Sequence, residues 1–247
     1  MLSNKRRQAI IEVKPKGAYF NVDNIKEIPN RYVLFVDIMG MKTTMLRSFR
    51  KSAIFMGKTH GILKVLQKEY PQIHLCPVMD GAYVVSNEYE VMRNFVIQLF
   101  TRLAKVFLTT EKQENRYPIR GSLAYGPMIS GNDINDSVNS ELSNEKEYAR
   151  NLLFGFPMVL AFNGERNAPP FGVYLDATVR IPQNNELSGI WYRWCKDDAL
   201  GKEIECGLKS YFEWAKGKSI ELMYDEERIA MHEKLTLQFW GDYRCKA

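Results

Sequence analysis

The chain has few of the residues that staple or wire small proteins together. Among its 247 residues only Cys76, Cys195, Cys206 and Cys245 are cysteines. They form no C-x-x-C pair and no regular framework. That excludes a disulfide scaffold and reads as reduced thiols in a cytoplasmic protein. The histidines His60, His74 and His232 are scattered, so a zinc site built from them is not expected. No run of about 18 apolar residues occurs, and with it goes the transmembrane helix. The basic start "MLSNKRRQAIIEV" is followed by no apolar signal core, so secretion is not expected. Repeats and low-complexity segments are missing. Basic residues are spread along the chain apart from "NKRRQ", which argues against a dedicated nucleic-acid surface.

What is present is an ordinary globular composition, 45% hydrophobic and 26% charged, with a net charge of +5. The length suits one large domain or one domain with an extension. The charge excess fits a protein that handles polyphosphates, and fits a solvated surface equally well.

Residues 1–30 are polar and read as an arm with little regular structure. "RYVLFVDI" is a strand, and Gly40 permits a turn into a helix expected from Met41 to about Tyr70. "QIHLCPVMDGAYVVSN" is a hairpin, with strands Ile73 to Val78 and Ala82 to Ser86 about an Asp80-Gly81 turn. "EYEVMRNFVIQLFTRLAKVFLTT" is an amphipathic helix and "YPIRGSLAYGPMIS" a strand. A polar loop follows, then a helix from Glu145 toward Arg166 interrupted by Gly155 and Pro157. Gly172 to Leu175 and "SGIWYRWC" read as short strands. The tail from Lys196 reads as mainly helical, anchored by Tyr211, Phe212, Trp214, Phe239 and Trp240. The four tryptophans are expected in the core. The order of elements predicts an α+β fold of the split βαβ, ferredoxin-like kind, a mostly antiparallel sheet with helices packed on it.

In that topology the first strand lies beside the hairpin, so Asp37 and Asp80 come side by side. Two close carboxylates repel unless a proton or cation intervenes, and oxygen ligands suit Mg2+ or Mn2+. Taken singly, each has a plainer reading: Asp80 as turn chemistry, Asp37 as a helix cap. After Asp37 the chain turns at Gly40 into Met41, Lys42 and Thr43, where free backbone N–H groups, a charge and a hydroxyl could receive phosphate. The G-x-x-x-x-G-K-S/T spacing of a P-loop is missing. Arg120 is a third cationic element, able to fork onto a phosphate or to serve as a surface strand arginine.

Four segments carry a family likeness. "FVDIMGMK" resembles the F-x-D-I-x-G-F opening of the class III nucleotidyl cyclases. "MDGAYVV" resembles their Gly-Asp hairpin, with Met79 in place of glycine. "IRGSLAYGPMISG" resembles their R-x-G-x-x-x-G strand, and "LFGFPMVLAFNGE" their later helix, with Leu153, Phe154, Gly155, Ala161 and Glu165 in register. The likeness spans about residues 30 to 180.

The resemblance implies a nucleotidyl cyclase domain at 31–185, between an arm at 1–30 and a strand-plus-helix extension at 186–247. It implies two divalent cations, Mn2+ or Mg2+, on Asp37, Asp80 and the Ile38 carbonyl. It implies a phosphate cradle from Met39 to Thr43, including Gly40, Met41 and Lys42, with Arg120 as a phosphate contact. It also implies a homodimer with sites between subunits. The purine-reading positions hold Cys76 and Leu152 here. The places of the family's asparagine and arginine hold Val159 and Asn163. These departures are similar to those of the stand-alone pyrimidine cyclases of bacterial antiphage systems, which make cyclic UMP or cyclic CMP for a separate effector protein. Uridine is favoured, and Cys76 then sits at the base-binding position. Two other readings remain: a degenerate cyclase that binds nucleotide without turnover, and another palm-like nucleotidyl transferase. A diguanylate cyclase should show Gly-Gly-Asp/Glu-Glu-Phe where this chain has Met79-Asp80-Gly81-Ala82.

Overall fold

The computed structural model of the protein describes residues 19–179, 187–188 and 190–241. The first eighteen residues of the expected arm, the domain boundary expected at 185 and Cys245 lie outside them. In chain order the regular elements begin with strand β1 (Asn30–Ile38) and helices α1 (Met41–Arg47) and α2 (Phe49–Glu69). The hairpin β2 (His74–Val78) and β3 (Gly81–Ser86) follows, then α3 (Tyr89–Thr109), β4 (Ile119–Pro127) and β5 (Ile129–Ser130). Next come α4 (Ser140–Asn144), α5 (Lys146–Ala149), β6 (Leu153–Phe154), α6 (Phe156–Glu165) and β7 (Val173–Leu175). The chain ends in β8 (Leu187–Ser188), β9 (Trp191–Tyr192), α7 (Asp198–Lys216), α8 (Ser219–Leu222) and α9 (Glu226–Trp240).

The main sheet has the order β2-β3-β1-β4-β7-β9-β8. β1 with β3, β2 with β3, β7 with β9 and β8 with β9 pair antiparallel, and β4 with β7 pairs parallel. The core β2-β3-β1-β4 is the split βαβ arrangement, so the α+β expectation holds. Register explains why β1 is so apolar. Tyr32, Leu34, Val36 and Ile38 point into one core with Leu63 and Leu66 of α2 and Phe95, Leu99 and Phe100 of α3. Val33 and Phe35 point to the opposite face, where α6 packs and Phe162 meets the Phe35 ring at 5.2 Å. A strand covered on both faces has no reason to alternate apolar with polar residues.

The C-terminal helices join the first of these cores. Trp194 packs between Phe100 and Trp240, at 5.7 and 5.8 Å between ring centres, tilted against the first and edge-on to the second. Trp194 and Trp240 are fully buried, and Trp191 and Trp214 pack against the same core, as expected of them.

The chain divides into two compact units, 1–29 with 127–155, and 30–126 with 156–247. Within the first, β5 pairs with β6, Ser130 and Asp133 form a capping box, and the Asn139 side chain donates to the Tyr19 carbonyl at 2.7 Å. The second holds the main sheet. Residues 190–241, within the expected extension, belong to this sheet-bearing unit.

Two helix expectations need correction. The helix expected from Met41 to Tyr70 is two helices. Ser48 takes extended backbone, φ −149° and ψ 93°, and its hydroxyl accepts from the Lys51 N–H to start α2. The helix expected from Glu145 to Arg166 is α5, the two-residue strand β6 and α6. Pro157 sits in the first turn of α6, where its missing N–H costs nothing.

Candidate active site

The end of β1, the tip of the β2–β3 hairpin, the start of β4 and the end of α6 converge. Asp37 follows Phe35 on the α6 side of the sheet. Gly81, just after Asp80, sits so near β1 that a β-carbon there would come 2.4 Å from the Val36 carbonyl oxygen. It would also come 3.3 Å from an Asp37 carboxylate oxygen. The hairpin therefore brings Asp80 beside Asp37. Their proximity shows in the electrostatics. Asp37 is pushed up to about 7, first by burial, then by the charges of Asp80 and Glu165, against lowering by Arg120 and the Ile38 N–H. Burial and like-charge crowding both penalise the carboxylate form.

Met79, the first of two residues linking β2 to β3, has φ 53° and is 80% exposed. A left-handed backbone there is the place for a glycine, and methionine holds it with strain. His60 of α2 lies behind this turn. Burial lowers its pKa, while a hydrogen bond to the Met79 backbone and the Asp80 charge raise it.

Arg120 does not present an open fork. Its Nε donates to Glu165 Oε1 and its Nη2 to Glu165 Oε2, the second at 3.2 Å. Both side chains are nearly buried, 13% and 10% exposed. The forked phosphate contact expected of Arg120 is thus closed onto a carboxylate, because α6 ends directly over β4. Gly164 makes that approach possible. A β-carbon there would lie 2.4 Å from Ser122 Oγ and 2.8 Å from the Tyr174 ring. Glu165 was visible in the sequence only as a register mark, and its role depends on a partner 45 residues away.

The turn after Asp37 has Gly40 at φ 76° capping the seven-residue α1. Met41 is 1% exposed and part of the core, so it offers the site only its backbone N–H. Lys42 is exposed and Thr43 half-buried. Ile38 directs its side chain into the core, and its N–H bonds the Asp37 carboxylate. Cys76 lies opposite Tyr83 in register and Tyr83 opposite Phe35, so the three share one row on the face that carries Asp37. The thiol is 4% exposed and burial raises its pKa. Of the family-position residues on α6, Val159 is 58% exposed and Asn163 is exposed too.

Two crowded carboxylates fit a divalent cation that takes its remaining ligands from water and phosphate. Among the described residues no group of three His, Cys, Asp or Glu side chains forms an all-protein cage. No helix among the described residues is long and apolar enough to cross a membrane.

No protein-family model and no curated protein matches the chain. Solved structures that it is similar to include the monomeric guanylyl cyclase domain of the RhoGC fusion protein from the aquatic fungus Blastocladiella emersonii. There the identity is 14% over 62% of this chain and 84% of that one, at a TM-score of 0.44. Another is the guanylate cyclase domain of RhGC from Catenaria anguillulae in complex with GTP, with 16% identity over 62% and 81% and a TM-score of 0.45. A third comes from the adenylate cyclases of Trypanosoma brucei in their monomeric state, with 12% identity over 60% and 72% and a TM-score of 0.43. The likeness is remote.

Proposed function

We propose that the protein is a nucleotidyl cyclase that converts a pyrimidine ribonucleoside triphosphate, UTP or else CTP, to the 3′,5′-cyclic monophosphate and pyrophosphate. The observation that carries this reading is the crowding of Asp37 by Asp80 at the end of an otherwise apolar strand. A fold has no structural reason to hold two carboxylates there, since their repulsion opposes it.

In the reaction the ribose 3′ oxygen attacks the α-phosphorus, its proton leaves, and the bond to the pyrophosphate oxygen breaks. Bound Mn2+ or Mg2+ would make the 3′ hydroxyl more acidic and screen the triphosphate. Asp37 and Asp80 would hold the cations, with the Ile38 carbonyl beside them. The backbone from Met39 to Thr43 and the Lys42 charge would receive the phosphates. Arg120, closed on Glu165, contributes positive charge near Asp37 and need not touch phosphate. The absence of purine readers at Cys76 and Leu152 supports a pyrimidine base. The buried thiol makes Cys76 a wall of the base site before a hydrogen-bonding reader.

The remaining parts follow the same resemblance. A second copy would complete each site, so a homodimer is proposed. Its product would signal to a separate effector protein in a bacterial antiphage response in the cytoplasm. The division into arm, catalytic domain and extension belongs to this reading too. The degenerate-cyclase reading has one observation in its favour: exposed Val159 and Asn163 supply no charge for a transition state. Incubating the protein with each ribonucleoside triphosphate and Mn2+, then analysing by mass spectrometry, decides between them. Cyclic UMP or cyclic CMP supports the proposal. Unchanged nucleotides with retained binding support the degenerate reading, and cyclic purine nucleotides overturn the base assignment.

A further inference from the structure

Two side chains behind Arg120, His232 and Tyr224, form a chain that nothing in the proposed reaction uses. Arg120 Nη1 lies 3.4 Å from His232 Nε2 on α9 and 3.4 Å from the Arg166 carbonyl oxygen. On the far side, His232 Nδ1 is hydrogen-bonded to the Tyr224 hydroxyl. His232 is 3% exposed and lies 112 residues from Arg120 in sequence.

The chemistry of the donors fixes the protons. A guanidinium has five N–H groups and no acceptor, so Nε2 must accept from Arg120. The imidazole is therefore neutral, its proton sits on Nδ1, and it donates to the Tyr224 oxygen. The same state follows from the surroundings, since burial, Arg120 and Arg228 push His232 down to about 4 while Asp225 alone raises it. Burial raises the Tyr224 hydroxyl, which keeps it protonated and uncharged. Four hydrogen bonds from Arg120 then run to Glu165, to the Arg166 carbonyl and to His232. The guanidinium is thereby fixed from the side of α6 and from the side of α9.

This arrangement matters because of what lies in front of it. The Met39 N–H donates to the Pro118 carbonyl at 3.0 Å, and a β-carbon on Gly121 would lie 2.9 Å from the Phe35 carbonyl oxygen, so β4 sets Arg120 beside the Asp37 end of β1. An arginine free to turn would find Asp37 within its electrostatic reach and compete with a cation for it. We propose that Tyr224 and His232 are positioning residues of the site: they hold Arg120 against Glu165 and so keep its guanidinium from closing onto the cation-binding carboxylates. The C-terminal helices are then a working part of the site as well as a cover for the core. The inference rests on the reading of Asp37 and Asp80 as cation ligands.

The test measures Mn2+ binding to the full chain without nucleotide, from the electron paramagnetic resonance signal of free Mn2+. His232→Leu removes the acceptor, and the Mn2+ dissociation constant is expected to rise at least fivefold. His232→Gln restores an acceptor near the Nε2 position and should return it to within twofold of wild type. Tyr224→Phe frees the imidazole to move its proton to Nε2, and a smaller rise in the same direction is expected. A dissociation constant within twofold of wild type in both His232→Leu and Tyr224→Phe, with only the melting temperature lowered, overturns the proposal and leaves the cyclase reading standing. If His232→Leu does not fold, Tyr224→Phe alone decides. Wild-type protein that binds no Mn2+ removes both.

Discussion

The two faces of β1 are held by opposite kinds of force. On one, Tyr32, Leu34, Val36 and Ile38 bury apolar surface against α2 and α3. On the other, the apolar row of Val33 and Phe35 runs into Asp37, which meets Asp80, Glu165 and Arg120. The first face gains from every contact it makes. The second carries a repulsion that the first must outweigh, and such repulsion persists where a ligand relieves it. On the proposed reading, function is concentrated where the strand stops serving stability.

The sharpest break of that comparison is Asp80→Ala. Turnover should fall by about a thousandfold or more, because the site loses one of its two carboxylates. The thermal midpoint without cations should hold or rise, and wild-type turnover from the variant would break the account. Next in size is Arg120→Leu, which strands Glu165 buried without its partner. Its cost should be about 3–5 kcal/mol in denaturant unfolding, whereas joint replacement of Arg120 and Glu165 by apolar residues should be far milder. On the opposite face, Leu34→Ala should cost about 2–5 kcal/mol while Mn2+ affinity per folded molecule stays constant. A change in that affinity would mean that the two faces are not separable.

The pH dependence has a definite sign. Asp37 is raised from its ordinary value of 3.8 to about 7, so the folded state holds the proton more tightly than the unfolded one. Its contribution to stability therefore declines as pH rises from about 4 to 7 in cation-free buffer. Asp37→Asn should flatten that decline, and saturating Mg2+ should reverse part of it, since the cation binds the ionised pair. Thermal midpoints at pH 5 and pH 8 check this. The smallest effect belongs to Met79→Gly, which releases a left-handed backbone and should stabilise by about 0.5–1 kcal/mol.

Much of this was legible in the chain. The apolar run into Asp37, the hairpin around Asp80 (its turn Met79-Asp80 where Asp80-Gly81 was expected) and the helix after it dictate the strand order β2-β3-β1-β4, and that order brings the two acids to one end. What could not be read was anything set by packing between distant segments. Ser48 breaks a helix because its side chain caps the next one, and a run of good helix formers conceals that. Arg120 looked like a phosphate fork because nothing local tells that Gly164 lets Glu165 down onto it. His232 read only as one of three scattered histidines, since its partner Arg120 lies 112 residues away.

The most direct measurement is the titration of the Asp37 carboxyl by carbon-13 nuclear magnetic resonance, in wild type and Asp80→Asn, with and without Mg2+. A midpoint of about 7 in the cation-free wild type is expected. It should fall clearly with Mg2+, and fall also when Asp80 loses its charge. A midpoint near 3.8 that neither change moves would show that the two acids neither crowd each other nor share a cation.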